Sequence, residues 1–444
     1  MKTILTSIAA GSLLAAFAAA QPQPRYRVVD LGALGGAYSF GFGINNAGDV
    51  AGSAATTAQT DGFAATAALW RKVKGKPAIK DLGALGPPFF PACPTCNSAA
   101  AAAGLLGEVA VGSEIAAIDP NGEDFGQWDP PNPAHRVTRG AIWRNGVMIA
   151  LPDLPGGNNA NVFWTNDLGQ ISGVAENGSF DSSCSQVTPF QVQRFQAVVW
   201  GPGGQIQRVL PPLKKDWVAY AFTINDIGEA VGASGLCATT GLPPVAINNT
   251  VATHAVLWES DGSITDLGNL GGAANIASSI NNHGEVVGTA QSPKDGTIHT
   301  FLWTRRTGML DYGAFPGAVA SIAGCCHTIN DKGEIVGFSI EPDNPYFGRA
   351  LLWQGTEPKD LNDFVSDPGP FVHLTGAFSI NDSGEIVCQG VTSNGEVHAC
   401  LAVPTRNPGS NGCALPVVHG SAGNVQLPEN TRQFLRRRFG VPGR

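Results

Sequence analysis

An internal repeat constrains this chain more than any other feature. A turn motif of the type Ile-Asn-Asp-x-Gly-Glu recurs as INNAGDV from Ile44, TNDLGQI from Thr165, INDIGEA from Ile224, INNHGEV from Ile280, INDKGEI from Ile329 and INDSGEI from Ile380. A degraded copy, GLLGEV over Gly104–Val109, lacks the Asn pair. The turn glycines Gly48, Gly107, Gly169, Gly228, Gly284, Gly333 and Gly384 lie 59, 62, 59, 56, 49 and 51 residues apart. Periods near about 40–50 residues made of short strands mark propeller-type arrays, which loop insertions lengthen. No 3.6-residue apolar spacing accompanies the repeat, so helix pairs are excluded.

Each unit holds four strand candidates, seen most clearly between Ala274 and Trp303 and just before that stretch. A small-residue run such as Ala274–Ile280 comes first, and Glu285–Gly288 is the second type. His299–Trp303 is the third, and Ile264–Gly268 is the fourth. The Asn-Asp-x-Gly link suits a tight hairpin whose glycine takes positive φ. The repeats open with a fourth-type strand, Val28–Gly32, and end with a third-type strand, His398–Ala402. The expected fold is therefore all-β: a seven-bladed β-propeller closed by the N-terminal strand, a closure that removes open sheet edges. Trp70, Trp143, Trp200, Trp258, Trp303 and Trp353 end the third strands and are expected to pack between blades. The recurring Asp30, Asp81, Asp266, Asp311 and Asp360 are expected to make structural bonds at strand ends, and His254, His299 and His398 to be structural too.

Met1 and Lys2, an apolar stretch from Ile4 to Ala16 and the small residues Ala18–Ala20 form a secretory signal peptide over 1–20. The propeller is expected over 21–403. A partly disordered tail follows over 404–444, with a short basic helix near 429–439. A secreted or periplasmic protein follows from this reading. No later stretch has the ~20 apolar residues that span a bilayer. The net charge is −8, which argues against a nucleic-acid partner. The 57 glycines and 31 prolines favour turns over long helices.

These units resemble the extracellular HAF-type repeats of bacterial secreted proteins, named for a His-Ala-Phe tripeptide. The matching residues are His254-Ala255-Val256-Leu257-Trp258, His299-Thr300-Phe301-Leu302-Trp303 and His398-Ala399-Cys400-Leu401, together with Asp-Leu-Gly and Asn-Asp-x-Gly-Glu. The resemblance covers roughly residues 26–403, and the second unit departs most. It implies a secreted β-repeat protein and transfers no catalytic residue.

Functional expectations rest on the insertions at 87–103, 113–139, 175–195 and 233–253. All fall between strands four and one or between strands two and three, which puts them on one face of a propeller. That face is the expected binding face. Phe89 and Phe90, Asp124, Trp128 and Asp129 of the acidic loop Asp119–Asp129, and Trp217 are its candidate ligand contacts. The acidic loop can hold Ca²⁺ or stack a sugar on Trp128, but it lacks the 12-residue calcium-loop spacing, so no metal site is assigned.

Nine cysteines suit an oxidising compartment. Cys93–Cys96, Cys184–Cys237 and Cys388–Cys400 are candidate disulfides. Cys325-Cys326-His327 is expected on an inner strand at the end nearest the inserted face. The structural readings come first: a strained vicinal disulfide, or one cysteine paired with Cys413 in the tail and the other buried. A thiolate–imidazole nucleophile is the alternative, with His373 a further weak catalytic candidate. No Gly-x-Ser-x-Gly, P-loop or His-Glu-x-x-His segment occurs. The expected function is a non-catalytic module that binds an extracellular glycan or protein. The alternative is a propeller enzyme working at the channel mouth, a hydrolase or lyase on a polymer, or less readily a quinone-dependent oxidoreductase. Cofactor and oligomeric state stay open.

Overall fold

The computed structural model describes residues 25–57, 65–73, 76–123, 125, 135–186, 191–240, 252–324, 326–342 and 348–405. The expected signal peptide lies outside the described residues, as does the tail beyond 405. The described residues are all-β, with 29 strands and two short 3-10 helices, Ser182–Gln186 and Leu361–Phe364. No helix among them is long and apolar enough to cross a membrane.

Hydrogen bonding sorts the strands into antiparallel runs of four, in chain order. The first joins Gly35–Ile44, Val50–Thr56, Thr66–Val73 and Lys76–Gly83. The second joins Ser98–Ala103, Glu108–Ile118, Arg136–Arg144 and Val147–Ala150. The third joins Ala160–Thr165, Ile171–Phe180, Gln193–Trp200 and Ile206–Leu210. The fourth joins Val218–Ile224, Ala230–Gly235, Thr253–Trp258 and Ile264–Asp266. The fifth joins Asn275–Ile280, Val286–Gln291, Ile298–Thr304 and Gly308–Asp311. The sixth joins Ala320–Ile322, Val336–Ile340, Ala350–Gln354 and Glu357–Asp360. The last joins Phe371–Ile380, Ile386–Thr392 and Val397–Thr405 to Arg25–Asp30 from the chain's beginning. Single parallel pairings, Tyr38 with Val397 and Ile298 with Ala320, link some runs. The others stand as separate sheets, so no continuous sheet runs through the molecule.

The repeat motif explains these runs residue by residue. In the turn between first and second strands, the Asn side chain works in both directions. Asn281 Oδ1 accepts from the backbone N–H of His283 and Glu285, while its Nδ2 donates to Glu285 Oε2. Asn225, Asn330 and Asn381 each bond the acidic residue four positions on in the same way. An amide carries its acceptor and its donor on separate atoms, so one Asn side chain serves the turn backbone and the acidic residue at once. Gly284 follows at φ +72, a conformation in which a Cβ is strained.

The His-Ala-Phe and Asp-Leu-Gly positions face each other across the third and fourth strands. His254 Nδ1 lies 3.0 Å from Asp266, His299 Nδ1 2.7 Å from Asp311 and His398 Nδ1 3.0 Å from Asp30. Thr66 and Arg349 take the histidine's place opposite Asp81 and Asp360. Asp30, Asp81, Asp266 and Asp311 also accept from the N–H of the glycine two residues on, and Asp360 from that of Asn362.

Four buried tryptophans tie their runs to the ones before. Trp70, Trp200, Trp258 and Trp353 donate Nε1–H to the carbonyls of Leu31, Pro152, Pro211 and Tyr312, each just past the preceding run's outer strand. Such an indole fills a gap between sheets and leaves no donor unpaired.

Two local expectations are corrected. The sixth run's inner strand stops at Ile322, because Cys326 takes φ +67 and breaks the extended backbone before His327. His327 also lies near the Asn330 turn, at the end of the strand away from the inserted loops, since a strand entering from those loops ends at the turn. One addition was not expected: Val365–Asp367 pairs in parallel with the outer edge of Arg25–Asp30.

Candidate functional site

The first-strand ends and their turns surround a cavity on the short-turn side, lined by Asn46, Asp167, Asp226, Asn282, Asp331 and Asp382 at the rim, with Trp164 and His327 below. Two hydrogen-bonded relays build the rim. In the first, each turn asparagine donates Nδ2–H to the carbonyl of the next: Asn166 to Asn225, Asn225 to Asn281, Asn281 to Asn330, Asn330 to Asn381 and Asn381 to Asn45. In the second, the following residue's N–H donates to the next unit's side chain. Asp167 bonds Asp226, Asp226 bonds Asn282, Asn282 bonds Asp331, Asp331 bonds Asp382 and Asp382 bonds Asn46, at 2.8–2.9 Å.

Both relays are interrupted at the second unit. Gly104 stands at the Asn position and Leu105 at the Asp position. The backbone turn survives, since Gly107 N–H still reaches the Gly104 carbonyl at 3.3 Å. Glu108 loses its partner: both of its oxygens are buried without a hydrogen bond, and the Arg144 guanidinium stands off at 4.0 Å. Leu106, Leu168 and Ile227 follow at matching turn positions of consecutive units, all exposed. The notch therefore combines an under-satisfied carboxylate with an apolar border.

Asp167 stands at the end of the broken relay. Burial first, then the charges of Asp226, Asp382, Asp331 and Glu108, push its carboxyl up to about 6. The described residues lining the cavity include no Lys or Arg. Beneath the rim, Trp164 of the third run stacks on His327 of the sixth, ring centroids 5.1 Å apart and planes 10° apart. Gly43 makes room for this, because a Cβ there would lie 2.7 Å from the Trp164 ring. Burial lowers the His327 pKa in spite of the Ile380 carbonyl and the Asp331, Asp382 and Asp226 charges, so the ring is neutral at pH 7. An acidic rim over a flat aromatic floor suits a cationic group with an apolar face.

Most residues singled out by sequence lie elsewhere. Phe89 is exposed in the link entering the second run, and Phe90 packs half-buried against that run's core. Trp217 is exposed in the link entering the fourth run, with the Arg194 guanidinium 3.9 Å over its ring. His373 bonds the Gly348 carbonyl at 3.1 Å near the start of its strand, seven residues and roughly 20 Å from the cavity end at Ile380. Burial lowers its pKa. Cys326 is buried and disulfide-bonded, so it presents no thiolate. Asp124, Trp128, Asp129 and Cys325 lie outside the described residues. Of the described candidates, the structure brings only His327 into the cavity. Cys93–Cys96, Cys184–Cys237 and Cys388–Cys400 are at disulfide distance, the last pair directly opposed on neighbouring strands.

Trp164 and Asp167 of the cavity, and Glu108 beside it, escaped the sequence reading. Trp164 carried a signal, since the corresponding positions in other units are small: Gly43, Ala102, Thr223, Ser279, Thr328 and Ser379. Glu108 and Asp167 carried another, in the loss of the asparagine at Gly104.

No family model matches the chain, and no curated protein matches it. Among solved structures it is similar to the β-propeller domain of the Trilobed protease from Pyrococcus furiosus, at 8% identity and TM-score 0.46, covering 84% of this chain and 99% of that one. It is similar to puromycin hydrolase at 13% identity and TM-score 0.48, covering 83% of this chain and 52% of that one, so it spans about half of that protein. A gluconolactonase from Xanthomonas campestris matches at 9% identity and TM-score 0.35, covering 70% of this chain and 90% of that one.

Proposed function

We propose that this protein is a secreted, seven-bladed β-propeller that binds an extracellular ligand through a cationic group seated in the acidic cavity. The ring reading is supported by the antiparallel pairing of Arg25–Asp30 with Val397–Thr405 and by the asparagine relay running from Asn166 round to Asn45. The relay needs each turn to face the next about a common axis. The binding reading moves the site from the inserted face, where sequence placed it, to the short-turn face.

One observation carries this assignment. Asp167 shares the rim with Asp226, Asp331 and Asp382, and no Lys or Arg balances them among the described lining residues. Carboxylates held together without a counter-charge repel one another, and a bound cation relieves that cost. Trp164 supplies a face for the same group. Amino sugars of a glycan and Lys or Arg side chains of a protein share this chemistry.

Titration with partly deacetylated chitooligosaccharides and with Lys- and Arg-rich peptides, read through Trp fluorescence and calorimetry, tests it. The fully acetylated, uncharged oligosaccharide separates charge recognition from sugar recognition. Binding of the charged ligands that weakens in Asp167→Asn is the expected result. Equal binding of the neutral sugar, or no binding of either cation class, would reject the cavity as the site.

A hydrolase reading is favoured by one specific feature. An Asp167 that keeps its proton to about pH 6 beside Asp226 has the paired-carboxyl chemistry of acid–base catalysis. Turnover of an extracellular polysaccharide, lost in Asp167→Asn, would establish it.

A further inference from the structure

On the loop side of the second and third runs, three buried carboxylates meet. Asp119 and Glu123 come from the loop after the strand Glu108–Ile118, and Glu176 comes from the strand Ile171–Phe180 of the next run. One oxygen from each lies within 4.8 Å of the others. Asp119 is 3% exposed, and Glu123 and Glu176 are fully buried. No described Lys, Arg or His forms an ion pair with any of them.

The surroundings aim donors at this cluster from all sides. Asp119 Oδ1 accepts from Asn121 and Glu123 N–H, and its Oδ2 from Asn159 Nδ2 at 2.8 Å. Glu123 Oε1 accepts from Val192 and Gln193 N–H, both at 2.6 Å. Glu176 Oε2 accepts from Asn158 and Asn159 N–H, and its Oε1 from Asn159 and Gln191. Each bond offsets part of the burial cost of one charge. None of them neutralises it, and isolated buried charges are too costly to keep.

A second observation points to what does. Gln191 is fully buried, and its carboxamide lies against the cluster with Nε2 3.1 Å from Glu176 Oε1. Its Oε1 has no partner. A buried amide oxygen without a donor needs an explanation such as an ion. The nitrogen and oxygen of this amide are assigned from their partners, and a rotation about the last bond exchanges them. As placed, Nε2 donates to Glu176 Oε1 and to the Gln193 carbonyl at 2.8 Å, and Oε1 is left over. After rotation the amide oxygen would stand against those two oxygens, an arrangement that only a cation between them makes favourable.

We propose that Asp119, Glu123, Glu176 and Gln191 bind a divalent calcium ion. All the donors are hard oxygens, with no His nitrogen or thiolate to favour zinc or copper. Calcium accepts bonds of about 2.3–2.6 Å in irregular geometry, so an oxygen cage up to 4.8 Å across admits it. The ion bridges two consecutive runs, because Glu176 and Gln191 belong to the third and the other ligands to the second. It pins the loop at 119–123 against the segment entering Gln193–Trp200. That segment also contains Cys184, whose disulfide to Cys237 reaches the fourth run. The ion is thus a clamp for the inserted face, and it stands independently of any ligand in the acidic cavity.

The test uses the secreted full-length protein. Equilibrium dialysis with Ca²⁺ and elemental analysis count the bound ions, and thermal unfolding is followed with Ca²⁺, with Mg²⁺ and with EGTA. The expected results are one Ca²⁺ per chain, a midpoint raised by Ca²⁺ more than by equal Mg²⁺, and reversal by EGTA. Glu176→Gln should abolish stoichiometric binding. Gln191→Leu, which leaves all three carboxylates, should weaken it about 10-fold or more. If Glu176→Gln fails to fold, the wild-type dialysis and the Gln191→Leu affinity still decide. No bound Ca²⁺ at about 1 mM, the weak end of extracellular sites, with an unfolding midpoint indifferent to EGTA, would overturn the proposal. Undiminished binding in both variants would overturn the ligand assignment.

Discussion

His398 and Asp30 are hydrogen-bonded at 3.0 Å although 368 residues separate them. The same bond joins residues only 12 apart in the pairs His254–Asp266 and His299–Asp311. A local strand-to-strand device has therefore been divided between the two ends of the described chain. Burial alone would raise the Asp30 pKa, but the His398 hydrogen bond and the Gly32 N–H hold it below the usual range. Removing Arg25–Asp30 would uncover the edge of Val397–Thr405 and expose the partners of buried Tyr26 and Val28, each worth about 1.5–3 kcal/mol. The truncated protein should lose several kcal/mol in urea unfolding, and a double-mutant cycle of His398→Ala with Asp30→Asn should show coupling of about 1 kcal/mol or more. Unchanged stability on truncation would mean that the N-terminal strand does not complete the last run.

Trp258 offers a sharper test of how consecutive runs hold together. It is fully buried, and its Nε1 donates to the Pro211 carbonyl at 2.7 Å. Trp258→Ala should cost about 3–5 kcal/mol through the cavity left behind. Trp258→Phe keeps much of the volume but strands the carbonyl, for a loss of about 1–3 kcal/mol. If the two variants unfold at the same denaturant concentration, the hydrogen bond contributes nothing measurable.

The repeat made the strands legible because six of the seven units carry the same local chemistry, an Asn-led turn closed by a positive-φ glycine. It also identified the aspartates and histidines as structural, though not that they bond each other. The cavity was harder to see, since its residues matter by breaking the pattern. Trp164 is large where its counterparts are small, and Gly104 removes the partner of Glu108. The carboxylate cluster was beyond periodicity altogether. Asp119 and Glu123 lay in a loop already noted as acidic, but Glu176 and Gln191 reach it only through the packing of one run on the next. The cavity also drew no attention because it is built from the short turns, whereas the sequence expectation rested on the long loops of the other face.

The acidic cavity should announce itself through pH. Folded Asp167 keeps its proton up to about 6, while the unfolded chain releases it near the ordinary 3.8. Between those values the folded state binds more protons than the unfolded state, so stability contributed by this group falls as pH rises through the window. Burial and then the charges of Asp226, Asp382, Asp331 and Glu108 maintain the effect, and neutral His327 across the cavity offers no counter-charge. Unfolding midpoints measured from pH 4 to pH 6.5 should fall less steeply in Asp167→Asn than in wild type. Cation binding should run the other way and tighten about 10-fold between pH 5 and pH 7, as the carboxylate forms. Identical pH slopes in the two proteins would assign the titration to another group.

Gly104 is where the two relays fail, and filling that position tests both halves of the site at once. In the other units an asparagine there bonds the acidic residue four positions on and the next unit's carbonyl, as Asn281 bonds Glu285 and Asn330. Gly104→Asn should offer the same bonds to Glu108 and to the Asn166 carbonyl. A Cβ at this position would meet Glu108 Oε1 at 2.1 Å, but that atom is the free end of a flexible side chain and can swing aside. The glycine backbone is not in the left-handed region, so the substitution brings no backbone strain. Supplying a donor to a buried carboxylate should stabilise the protein by about 1–2 kcal/mol, with a smaller gain from replacing glycine. The same change narrows the notch beside Asp167 and should weaken binding of cationic ligands. A variant that is more stable but binds less well is the expected outcome. Lower stability with intact binding would show that Glu108 is better served by the Arg144 guanidinium than by the missing amide, and that the notch is no part of the site.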